Sequence, residues 1–131
     1  VKLQVAALAA ARGAAALPEP GRAAAQARAF LRRARTEGDP RLVGYAEAVL
    51  YWLGNAHYGR RDYKEALATF RQLVTAAPDH PRAPEAWLSI AMCQIELKDR
   101  PGARRTLEDL IKNHPQSEAA REARERLAAL K

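Results

Sequence analysis

The sequence contains little that could build a disulfide, a metal site or a membrane span. Cys93 is the single cysteine among 131 residues, which excludes an internal disulfide, and no second ligand stands near it at a metal-binding spacing. No apolar run approaches the ~20 uncharged residues of a membrane helix, because Arg12 and Gly13 interrupt even the Ala-rich opening. We therefore expect no cofactor, no metal and no membrane span.

Aromatic residues are also scarce, at 6% of the chain against 48% hydrophobic residues. The apolar content is therefore mostly Ala and Leu, which favour helices, whereas Val, Ile and aromatic residues favour strands. This composition predicts an all-α protein.

Signatures of catalysis are missing as well. His57, His80 and His114 are far apart in sequence, and the last two stand beside prolines. There is no Gly-rich phosphate loop and no nucleophile followed by a base and an orienting acid. We expect a non-enzymatic protein in which the histidines are structural or surface residues and Cys93 is a small core residue.

The formal charge of +7 is unevenly placed. Residues 1–44 carry eight Lys and Arg against three acids, whereas residues 45–131 carry fourteen against twelve. A basic helix can bind nucleic acid or acidic lipid, but no aromatic stacking residues or RNA-binding motif accompany these arginines, so a solvated face is the competing interpretation. The arginines concerned are Arg22, Arg28, Arg32, Arg33 and Arg35.

Two stretches of the chain match each other with a constant offset of 37 residues. A fixed period of ~20 to 50 residues indicates a solenoid of stacked units, none of which can bury its apolar face alone. The matched pairs are Leu53 and Ile90, Gly54 and Ala91, Ala66 and Ala103, Phe70 and Leu107, Leu73 and Leu110, and Pro78 and Pro115.

Helix-breaking residues divide the chain into about seven helices. The first ends within residues 17–21 and the second at 38–40, and the others run over about 41–58, 62–76, 84–97, 99–114 and 117–131. Gly59 is predicted to end a helix in the left-handed conformation. Asp62 and Glu65 form a capping-box pattern. Further caps are predicted at Asp99 and Ser117, with Pro84 and Pro101 in first helical turns.

This layout predicts one domain over residues 1–131, a right-handed α-solenoid of three helix hairpins and a capping helix. Its parts are a divergent hairpin (1–44), two repeats (45–80 and 81–116) and the capping helix (117–131). When the period of 37 is extended towards the N-terminus, Arg33 occupies the position equivalent to Phe70. The first hairpin is therefore either a degenerate repeat or of other origin.

The repeated unit resembles the tetratricopeptide repeat. In that family the small residues of the pattern let paired helices approach closely, and the larger ones fill the seam between them. The pattern is carried by Leu53, Gly54, Ala66, Phe70 and Pro78, and again by Trp87, Ile90, Ala91, Ala103, Leu107 and Pro115.

Residues 45–131 are similar, in more detail, to the C-terminal domain of the periplasmic CpoB family, also called YbgF, through the runs 51–58, 61–66, 77–86, 102–107 and 114–120. This resemblance implies a periplasmic protein that binds TolA of the Tol-Pal envelope system and helps to coordinate envelope constriction at cell division. The trimerising coiled coil of the family has no counterpart here, so the resemblance implies no oligomeric state. The chain has no initiating Met, and we expect a mature or excised piece that has lost any export signal.

Residues 1–44 depart from that family, and a junction lies near residues 46–50. Natural divergence explains the departure, and so does a recombined or designed scaffold that has no natural ligand. Both interpretations stay open at this point.

In a stack of such hairpins the first helix of each pair lines the concave side. The outward face of these helices predicts an apolar groove with an aromatic edge, suited to an extended peptide or a helix, in which an Asn can hold the peptide backbone. Core packing against a neighbouring hairpin is the alternative for each member taken singly. We do not expect the groove to hold the C-terminal carboxylate of a peptide between basic and asparagine side chains. Tyr51, Ser89 and Met92 occupy the positions where such a carboxylate clamp needs basic or amide side chains. The predicted groove residues are Tyr51, Asn55, Tyr58, Leu88, Met92 and Ile95.

Overall fold

A computed structural model describes residues 20–130, and within this range it contains six α-helices and no strand. The helix expected before residues 17–21 lies outside the described residues. The all-α solenoid is thus confirmed for the described range, and the helix boundaries lie close to the predicted breakers. The helices are α1 (Pro20–Glu37), α2 (Pro40–Gly59), α3 (Tyr63–Ala76), α4 (Ala83–Glu96), α5 (Arg100–Asn113) and α6 (Glu118–Ala129).

The helices stack in chain order. Each packs mainly on its neighbours in sequence, with further contacts between α1 and α3 and between α4 and α6. A hydrogen bond from the Tyr51 hydroxyl to Glu85 joins α2 to α4. Since each unit touches only adjacent units, the arrangement is that of a solenoid, and it places α2, α4 and α6 side by side along one surface.

The apolar core runs through the stack as two clusters joined by one side chain. The larger cluster contains buried residues of α1 to α4, and the smaller one joins α4, α5 and α6. The partly buried Trp87 of α4 packs against both. This continuity is what a repeat protein needs, because no single hairpin can cover its own apolar face.

The seam between α2 and α3 depends on a glycine. A Cβ atom built on Gly54 would lie 2.6–2.8 Å from three ring carbons of Phe70, which is fully buried. In the next repeat Ala91 and Leu107 occupy the equivalent places, and both are fully buried. The two repeats therefore divide a similar volume differently across the seam, as close-packed interiors require.

Three helices begin at side-chain caps. The Asp39 carboxylate accepts the N–H of Arg41 at 3.0 Å before α2, and that of Asp99 accepts the N–H of Gly102 at 3.0 Å before α5. The Ser117 hydroxyl accepts the N–H of Ala120 at 3.0 Å before α6. These bonds satisfy backbone donors that a helix leaves without a partner in its first turn. The predicted caps at Asp99 and Ser117 are confirmed.

The prediction that Gly59 adopts the left-handed conformation is wrong. Gly59 is the last residue of α2, and the left-handed residue is Arg61, with φ of 64°. This placement lets the Asp62 N–H reach the His57 carbonyl at 2.9 Å, which is the long bond of a Schellman turn. Lys98, with φ of 66°, serves the same purpose after α4. The end of the helix is therefore set by the turn geometry and not by the nearest glycine.

The predicted capping box at Asp62 and Glu65 is also wrong. Asp62 precedes α3, but its side chain accepts no capping hydrogen bond, and its carboxylate lies 3.5 Å from Arg60 instead. In the equivalent turn, the carboxylate of Asp99 lies 2.2 Å from where a Cβ on Gly102 would stand. Asp62 and Asp99 thus occupy equivalent positions, but only Asp99 caps its helix.

One pair of buried polar side chains also differs between the repeats. Thr106 donates a hydrogen bond to the amide oxygen of buried Gln94 at 2.6 Å. At the equivalent positions, Thr69 donates to the Glu65 carbonyl at 2.8 Å, and His57 is fully buried. Within the described part of the chain, neither ring nitrogen of His57 has a hydrogen-bond partner. An unsatisfied buried group of this kind costs ~1–3 kcal/mol.

One arginine of the basic N-terminal segment takes part in the packing. The Arg35 guanidinium donates to the carbonyl of Ala76 at the end of α3 and lies 3.6 Å from the Glu47 carboxylate. Arg35 thus ties α1 to α2 and α3 and neutralises part of the negative end of the α3 dipole.

None of the described helices combines the length and apolarity that a membrane crossing needs.

Candidate ligand-binding groove

The six predicted groove residues all lie on α2 and α4, and all six are half-buried. They are therefore neither sealed in the core nor free on the surface. Their assignment as ligand contacts stays a prediction, and the neighbours of each residue show what the surface offers.

Tyr51 is the best-fixed member of the set. Its hydroxyl donates to Glu85 Oε2 at 2.8 Å, and the Arg82 guanidinium lies 5.1 Å from the centre of its ring, in cation–π contact. Its ring packs edge-on to Trp52 and Phe70. Burial, together with the bond to Glu85, raises the pKa of Tyr51 above its usual value, so the hydroxyl stays a donor at physiological pH.

Tyr58 lies where the ends of three helices approach each other. Its ring packs edge-on to Tyr63, with 5.4 Å between ring centres. Burial is the main cause that raises the pKa of Tyr58. The thiol of Cys93 and Glu96 of α4 add to this effect, and Arg126 of α6 opposes it. Tyr58 therefore faces α4 and α6, as a groove residue should.

The remaining predicted residues extend this surface. Asn55 lies close enough to the Tyr51 hydroxyl to affect its pKa. Leu88 forms part of the wall of a surface cavity, described below. Met92 and Ile95 are half-buried on α4, one and two turns beyond Leu88.

An aromatic patch on α2 is not among the predicted groove residues. Trp52 is 42% exposed and Tyr45 is 36% exposed, the two exposed large hydrophobic residues of the described chain. Together with Ala48 and Asn55 they recur at helical spacings of three and four residues, so they share one face of α2. That same spacing, started from Tyr45, was the signal that could have identified them.

A second missed feature is an acidic cavity at the other end of the groove. It has a volume of about 300 Å³ and lies between α4 and α6. Adding the offset of 37 to Glu85 and Leu88 gives Glu122 and Glu125, so the repeat itself carried the signal. The cavity is lined by Glu85, Leu88, Glu118, Ala119, Arg121, Glu122 and Glu125.

The groove thus changes character along its length. It is aromatic and apolar on α2, apolar with one carboxylate on α4, and charged on α6, where three glutamates line the cavity together with Arg121 and where Arg126 lies near Tyr58. In the described part of the chain no three His, Cys, Asp or Glu side chains are placed to hold a metal ion. Cys93 is fully buried, and burial raises the pKa of its thiol to about 12, so it stays protonated. What the surface offers a ligand is packing area, hydrogen bonds and charge.

A stack of helix hairpins with a half-buried inner face defines a helical-repeat protein. Two family models described as tetratricopeptide repeat match the chain, one over residues 59–127 and one over residues 8–81, and each covers more than half of it. The chain belongs to the tetratricopeptide repeat family. The match over residues 8–81 includes most of the N-terminal segment. No curated protein matched the chain.

Proposed function

We propose that this chain is a protein-interaction scaffold that binds a peptide segment of its partner along the groove formed by α2, α4 and α6. Membership of the tetratricopeptide repeat family suggests such a scaffold in general terms. The observation that carries the particular proposal is the half-buried stripe on α2 and α4, which continues into the exposed Trp52.

The physical basis of the proposed binding is an apolar surface that is partly exposed and rigidly held. Tyr51 is held by Phe70, Glu85 and Arg82, so a ligand that packs on its ring need not immobilise it first. Aromatic side chains with little freedom left to lose are the residues that dominate binding energy in protein interfaces. An apolar residue of the ligand that covers this stripe gains ~25 cal/mol for each Å² of apolar surface removed from water.

The test is a double substitution in the groove, Tyr58→Asp with Met92→Asp. The matched control is Ala68→Asp with Gln72→Asp, which adds the same charge at exposed positions of α3. The probe is a peptide selected on the wild-type chain from a phage-displayed random library. We expect the groove variant to lose binding and the control to retain it, with helical circular dichroism unchanged in both. Full binding by the groove variant would contradict the proposal.

For the partner, we propose TolA in the periplasm, which would place the protein in envelope constriction at cell division. Support for this finer proposal is the resemblance of residues 45–131 to the CpoB family. Titrating purified periplasmic domains of TolA into the chain by calorimetry tests it, and we expect saturable binding that the groove variant abolishes. A recombined or designed scaffold without a natural ligand predicts no heat of binding with TolA, while peptides from the random library still bind.

A further inference from the structure

The charge of the groove is asymmetric, and the repeat shows where the change occurs. Tyr51 on α2 and Leu88 on α4 occupy equivalent positions, and the next position in this row is Glu125 on α6. A row that is apolar on two helices therefore ends in a carboxylate, and that carboxylate lines the cavity of about 300 Å³.

The carboxylates of this cavity are not equally neutralised. Glu118 lies 3.7 Å from Arg121, Glu122 lies 3.1 Å from Arg126, and Glu85 lies 3.1 Å from Arg82. All these side chains are solvent-exposed to a large degree, so each ion pair is worth only ~0–1 kcal/mol and can rearrange.

Glu125 differs from the other carboxylates in the cavity. Among the side chains that the structure describes, it forms no ion pair. The cavity therefore keeps an excess of negative charge beside the apolar side chains of Leu88 and Ala119.

We propose that the groove takes an extended peptide in which an apolar residue packs on Tyr51 and Leu88 and a Lys or Arg enters the cavity beside Glu125. The stem of a Lys or Arg suits an apolar wall, while its charged head meets the carboxylates. This inference rests on the proposed function and adds to it the chemistry of the ligand.

The spacing of the helices sets the spacing of the motif. Neighbouring packed helices lie ~8–10 Å apart, and an extended chain advances ~3.3–3.4 Å per residue. The step from Leu88 to Glu125 therefore corresponds to about two or three residues of ligand. The ligand class is an extended segment with a basic residue two or three positions from an apolar one.

The preference for a basic ligand is local, and it opposes the net charge of the chain. A protein with a formal charge of +7 attracts acidic ligands if only its long-range field counts. A basic consensus among selected peptides therefore reports on the cavity and not on the overall charge. Other occupants, such as a second copy of this chain, predict different outcomes.

The experiment selects random dodecapeptides on phage against the full chain and measures the affinity of the winning peptides by fluorescence anisotropy. We expect the consensus to hold a Lys or Arg at the stated spacing. Because Glu125 is exposed, replacing that Lys or Arg with Gln should weaken binding by up to about fivefold, which corresponds to ~1 kcal/mol. Glu125→Lys should weaken binding at least as much. The control Glu108→Lys makes the same charge change at an exposed position of α5 and should leave affinity unchanged.

A charge swap sharpens the test. A peptide in which the basic residue is changed to Glu should bind the Glu125→Lys variant better than it binds wild type. If the consensus lacks a basic residue while Tyr58→Asp with Met92→Asp still abolishes binding, this inference fails and the proposed function stands. If no selected peptide depends on the groove, both fail.

Two further outcomes would also overturn the inference. Equal losses in Glu108→Lys and Glu125→Lys would indicate an effect of overall charge. A dimer in sedimentation that disappears in Glu125→Lys would make a second copy of the chain the occupant.

Discussion

The crossing of α2 and α3 at Gly54 can be tested with two substitutions taken from the next repeat. Gly54→Ala places a Cβ 2.6–2.8 Å from ring carbons of Phe70. Carbon atoms pack at ~3.5–4.0 Å, so relieving the closest contact requires the ring or the helix to move by at least about 0.9 Å. Overpacking of this kind costs ~1–3 kcal/mol, and the higher helix propensity of Ala offsets ~0.8–1.0 kcal/mol of that cost.

The second substitution, Phe70→Leu, removes the ring that the new methyl group meets. On its own it leaves a void beside Gly54 and removes the edge contact with Tyr51, at a cost of about 1–2 kcal/mol. The double variant reproduces the pair Ala91 and Leu107 of the next repeat. We therefore expect it to be more stable than the sum of the single effects predicts, by at least about 1 kcal/mol.

The measurement is a double-mutant cycle from urea unfolding, followed by circular dichroism. Gly54→Ala with Leu107→Ala serves as the control, because these two residues lie in different hairpins and their effects should add within ~0.5 kcal/mol. Additive effects for Gly54→Ala and Phe70→Leu would refute the claim that the two repeats have equivalent helix seams, which hold a similar side-chain volume divided differently between the two helices.

Two further outcomes follow from the same structure. Burial lowers the pKa of His57, so the unfolded chain binds a proton at this residue before the folded chain does as the pH falls below ~6.5. The free energy of unfolding should therefore decrease as the pH is lowered through that range. His57→Gln should remove this pH dependence in urea titrations, and an unchanged pH dependence would contradict the prediction. The Cys93 thiol should react with a disulfide reagent only after unfolding, and rapid reaction in the folded chain would show that it is not buried.

The sequence predicted the fold well, because the features that define it are local or periodic. Prolines and capping side chains mark where helices start and stop, and the offset of 37 identified the pairs that meet across each seam. The two errors arose where a local rule competed with the geometry of a whole turn. Gly59 is the nearest glycine to the end of α2, but the Schellman turn needs its left-handed residue two positions later, at Arg61.

The candidate site was less completely predicted, for a physical reason. The helical periodicity of the sequence is enough to predict which face of α2 and α4 lines the groove. All six residues predicted on that basis are half-buried. The offset of 37 pairs Glu85 and Leu88 with Glu122 and Glu125, but the cavity between them depends on how α4 and α6 pack in three dimensions. Trp52 lies outside the predicted face, which is defined by its neighbour Tyr51, although Trp52 is the more exposed of the two.

The central claim is that α2, α4 and α6 form one continuous binding surface. Amide chemical-shift mapping by NMR, with a library-selected peptide titrated into the labelled chain, tests it most directly. We expect the largest shifts in residues 45–58, 85–95 and 121–126, with α3 and α5 little affected. Shifts confined to the exposed faces of α3 and α5, or to α1 alone, would contradict the account.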